Sequence, residues 1–146
     1  WRFDAGIAYL DAEFAKALLD DAMIPGIKPE DVSGNRMERA PELKYSLGAQ
    51  YTHGNVDYRY ELSYSDDMYV DSFENDFAKI DSHTEQNIRV IWRPNGSNKL
   101  SIQAFVENLT DEEYVDYLIP TSFVGGVAGA YAPPRTWGVL VNWDLL

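Results

Sequence analysis

The stretch Val56-Asp57-Tyr58-Arg59-Tyr60-Glu61-Leu62-Ser63-Tyr64-Ser65 alternates without a break. Its even positions are apolar or aromatic and its odd positions are charged or hydroxylic. A helix could not gather the even set onto one stripe, whereas a strand points successive side chains to opposite faces. The same period recurs on either side. Trp1, Phe3, Ala5, Ile7 and Tyr9 oppose Arg2, Asp4, Gly6 and Ala8; Leu43, Tyr45, Leu47, Ala49 and Tyr51 oppose Lys44, Ser46, Gly48 and Gln50. Ile88, Val90 and Trp92 oppose Asn87, Arg89 and Ile91; Leu100, Ile102, Ala104 and Val106 oppose Ser101, Gln103, Phe105 and Glu107. Trp137, Val139, Val141, Trp143 and Leu145 oppose Thr136, Gly138, Leu140, Asn142 and Asp144, which completes six expected strands.

Two connections, His53-Gly54-Asn55 and Pro94-Asn95-Gly96-Ser97-Asn98, are short and carry turn residues. Those at 12–40, 66–79 and 112–133 are long, so short and long connections alternate. An up-and-down antiparallel sheet with tight turns at one end and long loops at the other is the expected all-β topology, that of an outer-membrane barrel wall. In 12–22, Phe14, Leu18 and Leu19 at helical spacing and the stop at Pro25-Gly26 predict a short helix inside the first long loop.

Within the strands every charge, among them Arg59, Glu61, Arg89 and Glu107, lies on the mixed face. A cation facing lipid at mid-bilayer costs about 2–4 kcal/mol, so a lipid face is swept clean; a buried core face is swept clean as well. Aromatic placement favours lipid. Trp1 and Tyr9, Tyr45 and Tyr51, Trp137 and Trp143 sit near the two ends of their stripes, and six residues at ~3.4 Å span about 20 Å. Girdles of this kind flank the roughly 25 Å apolar band of membrane barrels. A secreted β-sandwich that binds carbohydrate on an aromatic platform is the alternative reading.

Composition narrows the function. The 146 residues carry 12 Lys plus Arg against 24 Asp plus Glu, a formal charge of −12, which excludes a basic nucleic-acid grip. There is no Cys and there are two His, so neither disulfides nor a multi-histidine metal site is expected, and no cofactor is implied. Mean hydropathy is −0.36, and no apolar run approaches the roughly 18–20 residues of a membrane-spanning helix. The acidity is local: 11–42, 66–81 and 107–116 carry −4, −5 and −5. The first Met is Met23, so the chain is expected to derive from a longer gene product, with any export signal upstream.

Four segments carry a family resemblance. Glu107-Asn108-Leu109-Thr110-Asp111-Glu112-Glu113-Tyr114 resembles the "NLTDxxY" segment of TonB-dependent outer-membrane receptors, and Pro133-Pro134-Arg135-Thr136-Trp137-Gly138-Val139 resembles the "PRTW/YGV" opening of their last barrel strand. Gly34-Asn35-Arg36 through Arg39-Ala40-Pro41 is similar to "GNRxxRAP", and Ile80-Asp81-Ser82 to "xxDSY", with His83 where the motif has Tyr. The family's chain usually ends on an aromatic; here that register gives Leu145, followed by Leu146. The resemblance implies that 1–146 is the C-terminal part of a barrel of about 22 strands, with the plug domain and earlier strands elsewhere. It also implies a bacterial outer-membrane receptor importing a scarce nutrient, most often a ferric siderophore. The implied partners are membrane lipid and lipopolysaccharide, and the TonB complex through the missing N-terminal part.

Other chemistry is thin. Asp81-Ser82-His83 has triad residue types, but a triad is defined in space and not by adjacency. Asp20-Asp21, Asp66-Asp67 and Asp111-Glu112-Glu113 lack EF-hand spacing and read as solvated loop charge; an acidic hydrolase would rest on carboxylate abundance alone. No catalytic residue is assigned. Tyr69, Phe73, Phe77, Phe123 and Tyr131 are candidates for a ligand platform in the loops, against simple loop-on-loop packing, and His83 and Arg89 are expected to line the lumen or pair with acids.

Overall fold

In the computed structural model, which describes residues 1–21, 28–94, 99–121 and 126–144, the expected strands lie side by side. In chain order the strands are β1 (Arg2–Tyr9), β2 (Leu18–Leu19), β3 (Glu30–Asp31), β4 (Leu43–His53), β5 (Val56–Ser65), β6 (Met68–Tyr69), β7 (Lys79–Ile80), β8 (His83–Trp92), β9 (Leu100–Glu107), β10 (Val115–Thr121), β11 (Gly126–Tyr131) and β12 (Thr136–Trp143). The six long strands make one open antiparallel sheet in the order β1-β4-β5-β8-β9-β12, each beside its nearest long neighbour in sequence.

The register joins the six apolar stripes into one face. Ile7, Ala5 and Phe3 stand opposite Tyr45, Leu47 and Ala49, and those opposite Tyr64, Leu62 and Tyr60. The row continues through Ile88, Val90 and Trp92, then Val106, Ala104 and Ile102, to Trp137, Val139 and Val141. A slip of one residue would send every one of these side chains to the other face. Gln86 falls on this face near the long-loop end, where the Tyr60 hydroxyl donates to its Oε1 at 2.8 Å.

Both aromatic girdles form. At the tight-turn end Trp1, Tyr51, Tyr58, Trp92 and Trp143 share the apolar face, with Trp1 and Tyr51 ring centroids 4.7 Å apart and Tyr51 and Tyr58 at 6.2 Å. At the long-loop end stand Tyr9, Tyr45, Tyr64 and Trp137, with Tyr45 stacked on Tyr64 at 4.9 Å. Trp1 and Trp137 are 78% and 76% exposed, far too open for core residues of a water-soluble sheet. Val32, Val70, Ala78 and Ile80 are buried apolar side chains, and all four lie in the connections between the long strands. A sandwich would need a second sheet over the apolar face, and none covers it among the described residues.

Three expectations need correction. Residues 12–21 are not helical: Glu13 bridges Arg36, and Leu18–Leu19 pairs with Glu30–Asp31, so tertiary pairing overrides helix-forming composition. The stop at Pro25-Gly26, like most of the turn 94–98, lies outside the described residues. β8 starts at His83, ahead of the expected 87, because Thr84 and Gln86 are polar on the apolar face and hide the period. The long connections also carry structure of their own, a β6–β7 pair and a β10–β11 hairpin. Val115, Leu118 and Val127 of that hairpin pack with Met68 on the Val70-Ala78-Ile80 cluster, which fixes the hairpin against the loop over β5 and β8.

Asn108 ties the sheet to these loops. It is 4% exposed with φ +49°, a left-handed conformation that Asn tolerates better than most residues. Its amide donates to Asn87 Oδ1 at 3.0 Å, and its Oδ1 accepts from the Glu112 amide at 2.9 Å. Its Nδ2 donates to the Glu112 and Pro133 carbonyls at 2.9 and 3.2 Å. One side chain thus holds the end of β9, the base of the hairpin and the approach to β12. Replacing it with Ala leaves the Glu112 amide and the Glu112 and Pro133 carbonyls without these partners and the backbone strained, so Asn108→Ala should cost about 2–4 kcal/mol. Asn108→Gly should recover roughly 1 kcal/mol of that by relieving the backbone. Urea unfolding midpoints of the protein in detergent measure both; equal losses for Ala and Gly would show that positive φ contributes nothing.

Candidate functional site

The sheet's mixed face is an ion-paired wall. Arg59 on β5 reaches across β4 to Asp4 on β1, with Nη1 and Nη2 at 2.9 and 3.0 Å from the two carboxylate oxygens, while its Nε donates to Glu61 at 2.9 Å. The crossing needs Gly48: a Cβ there would come within 2.7 Å of Arg59 Nη2 and closer still to the Asp4 carboxylate. At the tight-turn end Asp57 accepts from Thr52 Oγ1 at 2.6 Å and pairs with Arg93. Arg89 stands directly opposite Arg59, and its Nε is buried without a partner. The expected mixed-face set is therefore split: Arg59 and Glu61 are joined in one network, while Arg89 makes no ion pair among the described residues.

His83 and Glu107 sit at the long-loop rim of the sheet. The His83 ring stacks on Tyr114 with centroids 4.1 Å apart, and the Tyr114 hydroxyl donates to Glu85 Oε2 at 2.9 Å. Burial first, then the Glu85 hydrogen bond, push the Tyr114 phenol up to about 12, so it stays a neutral donor. Glu107 faces Thr136 across the β9–β12 pair.

The motif residues bond to one another and to the rim. Leu109 donates its amide to the Gln86 carbonyl at 2.8 Å. Asp111 accepts from the Arg135 amide at 2.8 Å and lies 3.8 Å from its guanidinium. Thr136 Oγ1 donates to the Pro134 carbonyl at 2.9 Å. Thr110 lies between Leu109 and the Asp111 turn, and Trp137 belongs to the outer girdle. Gly138 gives its place to the Phe105 ring, whose Cζ would lie 2.7 Å from a Cβ there. These residues make a junction of strands and loops, where Asn108, Tyr114, Pro134 and Thr136 line a small cavity of about 60 Å³ with Glu85 and Glu107.

Of the proposed loop platform, Tyr69 lies under Arg36, whose guanidinium carbon is 5.0 Å from the ring centre. Phe73 borders a cleft of about 310 Å³ together with Asp21, Glu38, Asp71 and Pro120. Phe77 and Tyr131 are exposed and lie on separate elements, and Phe123 lies outside the described residues. No ring contact joins any two of these aromatics among the described residues, so they do not form one platform there.

Sequence reasoning missed the ties that hold the loops together. Arg36 pairs with Asp67 at 2.8 Å and takes the Glu74 carboxylate on its own amide at 2.8 Å, while Lys79 lies 3.4 Å from Asp67. Ser72 Oγ donates to Glu38 at 2.6 Å. Spacing gave no signal for these contacts because Arg36 and Glu38 reach across to a separate loop, and Lys79 meets Asp67 across a turn of their own connection. Asp4, Glu85 and Asn87, by contrast, share the parity of the mixed face and were findable that way.

Two predictions follow from these networks. Gly48→Ala should destabilise the protein by about 1–3 kcal/mol through overpacking, and by much less in an Asp4→Ala background that has already lost the crossing pair. Additive losses in unfolding midpoints would show that Gly48 is not making room for that pair. Burial alone would raise the Asp67 carboxyl, but the Arg36 hydrogen bond and the Arg36 and Lys79 charges leave it below its ordinary 3.8. The Asp67 charge in turn raises Lys79 above 10.5. A lowered acid stabilises the fold above its ordinary value and loses that contribution as pH falls through the lowered one; a raised base stabilises below its ordinary value and loses that as pH rises past the raised one. Hydrogen-exchange protection of 66–81, corrected for intrinsic rates, should be flat from about pH 5 to 9 and fall below about pH 4. Asp67→Asn should weaken it at neutral pH by about 1 kcal/mol; a variant as protected as the parent would remove Asp67 from the argument.

Comparison with known proteins agrees with this geometry. The family described as TonB dependent receptor-like, beta-barrel, matches residues 1–109. Among solved structures, the siderophore receptor PiuA from Acinetobacter baumannii is similar at TM-score 0.70 and 21% identity, over 95% of this chain and 18% of that one. The ferric yersiniabactin uptake receptor FyuA from Yersinia pestis matches at 0.62 and 17%, over 81% of this chain and 18% of its own. The ferric citrate transporter FecA in its unliganded form matches at 0.62 and 21%, over 75% and 18%. The chain thus spans 18% of the length of each of these three proteins, and at such identities they share its fold. With one face built for lipid, the other ion-paired, and three quarters of its length matched by the family, the chain belongs to the TonB-dependent receptor β-barrel family.

Proposed function

We propose that the chain is the C-terminal stretch of barrel wall of an outer-membrane receptor that imports a scarce nutrient, most simply a ferric siderophore, with energy delivered through TonB. The observation that carries this reading is the six-stranded sheet with two unlike faces: a continuous apolar face between aromatic girdles, backed by a face laced with ion pairs. A bilayer on one side and a watery lumen on the other account for both. Six strands leave two open edges, and unpaired backbone groups are not tolerated in hydrocarbon, so the working unit includes the rest of the barrel and its plug.

In this reading the acidic connections face the cell exterior, among the lipopolysaccharide, with Phe77 and Tyr131 as exposed rings within reach of a ligand. Arg89 places a positive charge on the lumen wall. No covalent chemistry is required, since binding and displacement of the plug suffice for import.

Uptake by cells tests the proposal. A strain whose sole receptor of this class is the complete protein should accumulate radioactive iron from at least one of a panel of ferric siderophores, and should lose that uptake when TonB is absent. Uptake that persists without TonB, or no uptake of any ferric complex in the panel, would overturn the assignment of cargo or of energy source.

A further inference from the structure

The apolar side of the sheet is not level. Rows set by register run across β1, β4 and β5: Phe3, Ala49 and Tyr60 in one, then Ala5, Leu47 and Leu62 in the next toward the long loops. Ala49 is the low member of its row and Ala5 of its own, and the two are diagonal neighbours. They floor a trough of about 390 Å³ walled by Phe3, Leu47 and Tyr60. Asp4 and Gly48, paired across β1 and β4, complete the floor while their side chains belong to the mixed face. β4 and β5 are flanked by strands on both sides, so two of the three strands that build the trough are interior to the sheet.

One end of the trough is marked. The next row toward the tight turns is Trp1, Tyr51 and Tyr58, whose ring centroids follow one another at 4.7 and 6.2 Å. Aromatic belts of this kind stand at the level of lipid head groups. Charge is balanced nearby, where Arg93 pairs with Asp57. The acidic stretches 11–42, 66–81 and 107–116 belong to the long connections at the opposite end. A phosphate at the tight-turn end is thus spared the repulsion it would meet at the other.

Contact, not hydrophobicity, singles the trough out. Lipid tails are as apolar as the wall, so no transfer from water distinguishes one place on this face from another. A tail crossing a level stretch touches side-chain tips along one side. A tail laid over Ala5 and Ala49 is touched by Phe3, Leu47 and Tyr60 as well, and each added contact contributes dispersion. We propose that the trough binds one acyl chain of a phospholipid in the leaflet at the tight-turn end, with the head group at the level of Trp1, Tyr51 and Tyr58. The proposal rests on the outer-membrane reading and is independent of which nutrient is imported.

The test uses the complete receptor, extracted in a mild detergent and weighed intact by native mass spectrometry. Titrated with dipalmitoyl phosphatidylethanolamine, the parent receptor should carry one lipid that survives removal of the micelle. The Ala5→Leu/Ala49→Leu receptor, which fills the trough from the lipid side, should show a lipid-bound fraction lower by about fivefold or more, with its unfolding midpoint unchanged. Ala5→Leu alone should lose part of that fraction. Ala104→Leu, on the same face between Val90 and Val139, should retain lipid like the parent. Undiminished retention by the double variant, or an equal loss in Ala104→Leu, would reduce retention to general coating and overturn the site. Retention of lipopolysaccharide in place of the phospholipid, or of a second receptor molecule that the double variant releases, would overturn the occupant. A receptor that stays in solution without detergent would instead strike the membrane reading beneath the site.

Discussion

Backbone amides placed in hydrocarbon have no water to bond to, and this constraint organises the molecule. β4, β5, β8 and β9 each have a neighbouring strand on either side, so the ladder is satisfied inside the sheet wherever those strands pair. Once pairing is forced, the faces are free to differ, and period 2 assigns one to lipid and one to the lumen. Stability of the wall then cannot come from a buried core, since neither face is covered by another layer among the described residues. It comes from the ladder, from lipid against the apolar face, and from ion pairs such as Arg59 with Asp4 and Glu61.

The location of the buried residues follows from the same constraint. In a water-soluble β-protein they would lie under the strands. Here Val32, Val70, Ala78 and Ile80 lie in the connections at one end, where water is present and apolar side chains gain by clustering. The outer loops therefore behave as a small globular body standing on the rim, joined to the wall through Asn108 and through Tyr114 with Glu85. A body built this way can keep its shape while its surface residues stay exposed.

How much of this could be read from the sequence follows the number of solvents each segment meets. Val56–Ser65 meets two, and its alternation marked the strand and its two faces in advance. Residues 115–121 and 126–131 lean on a loop core and meet water elsewhere; with Pro120 on one strand and small residues on the other, their pairing left no clean period. Residues 12–22 have helix-forming composition but short polar partners nearby, and the pairing of Leu18–Leu19 with Glu30–Asp31 prevailed over weak local preference. The motif around Asn108 was recognisable as a family mark, yet its work as a junction lies in contacts with Asn87, Glu112 and Pro133 that no spacing rule reveals.

The loop acids raise a last physical question, since like charges packed at one end of a molecule should push the loops apart. The few cations there are placed where they oppose that. Arg36, from the first long connection, holds Asp67 and Glu74 of the second, while Lys79 adds to Asp67 from the far side of the same turn. Arg39 of the first connection reaches the Leu118 carbonyl on the third at 3.2 Å, and Arg135 closes the third onto Asp111. Arg36 and Arg39 each join one connection to another, and Lys79 and Arg135 each brace a connection against its own neighbour in the chain. Of the remaining carboxylates, Asp71 is buried and accepts from Asn75 Nδ2 at 2.7 Å, while Asp11, Asp20 and Glu30 face water. A strongly acidic surface is thereby compatible with a fixed loop body, because attraction is concentrated at the joints while repulsion is spread over solvent at high dielectric.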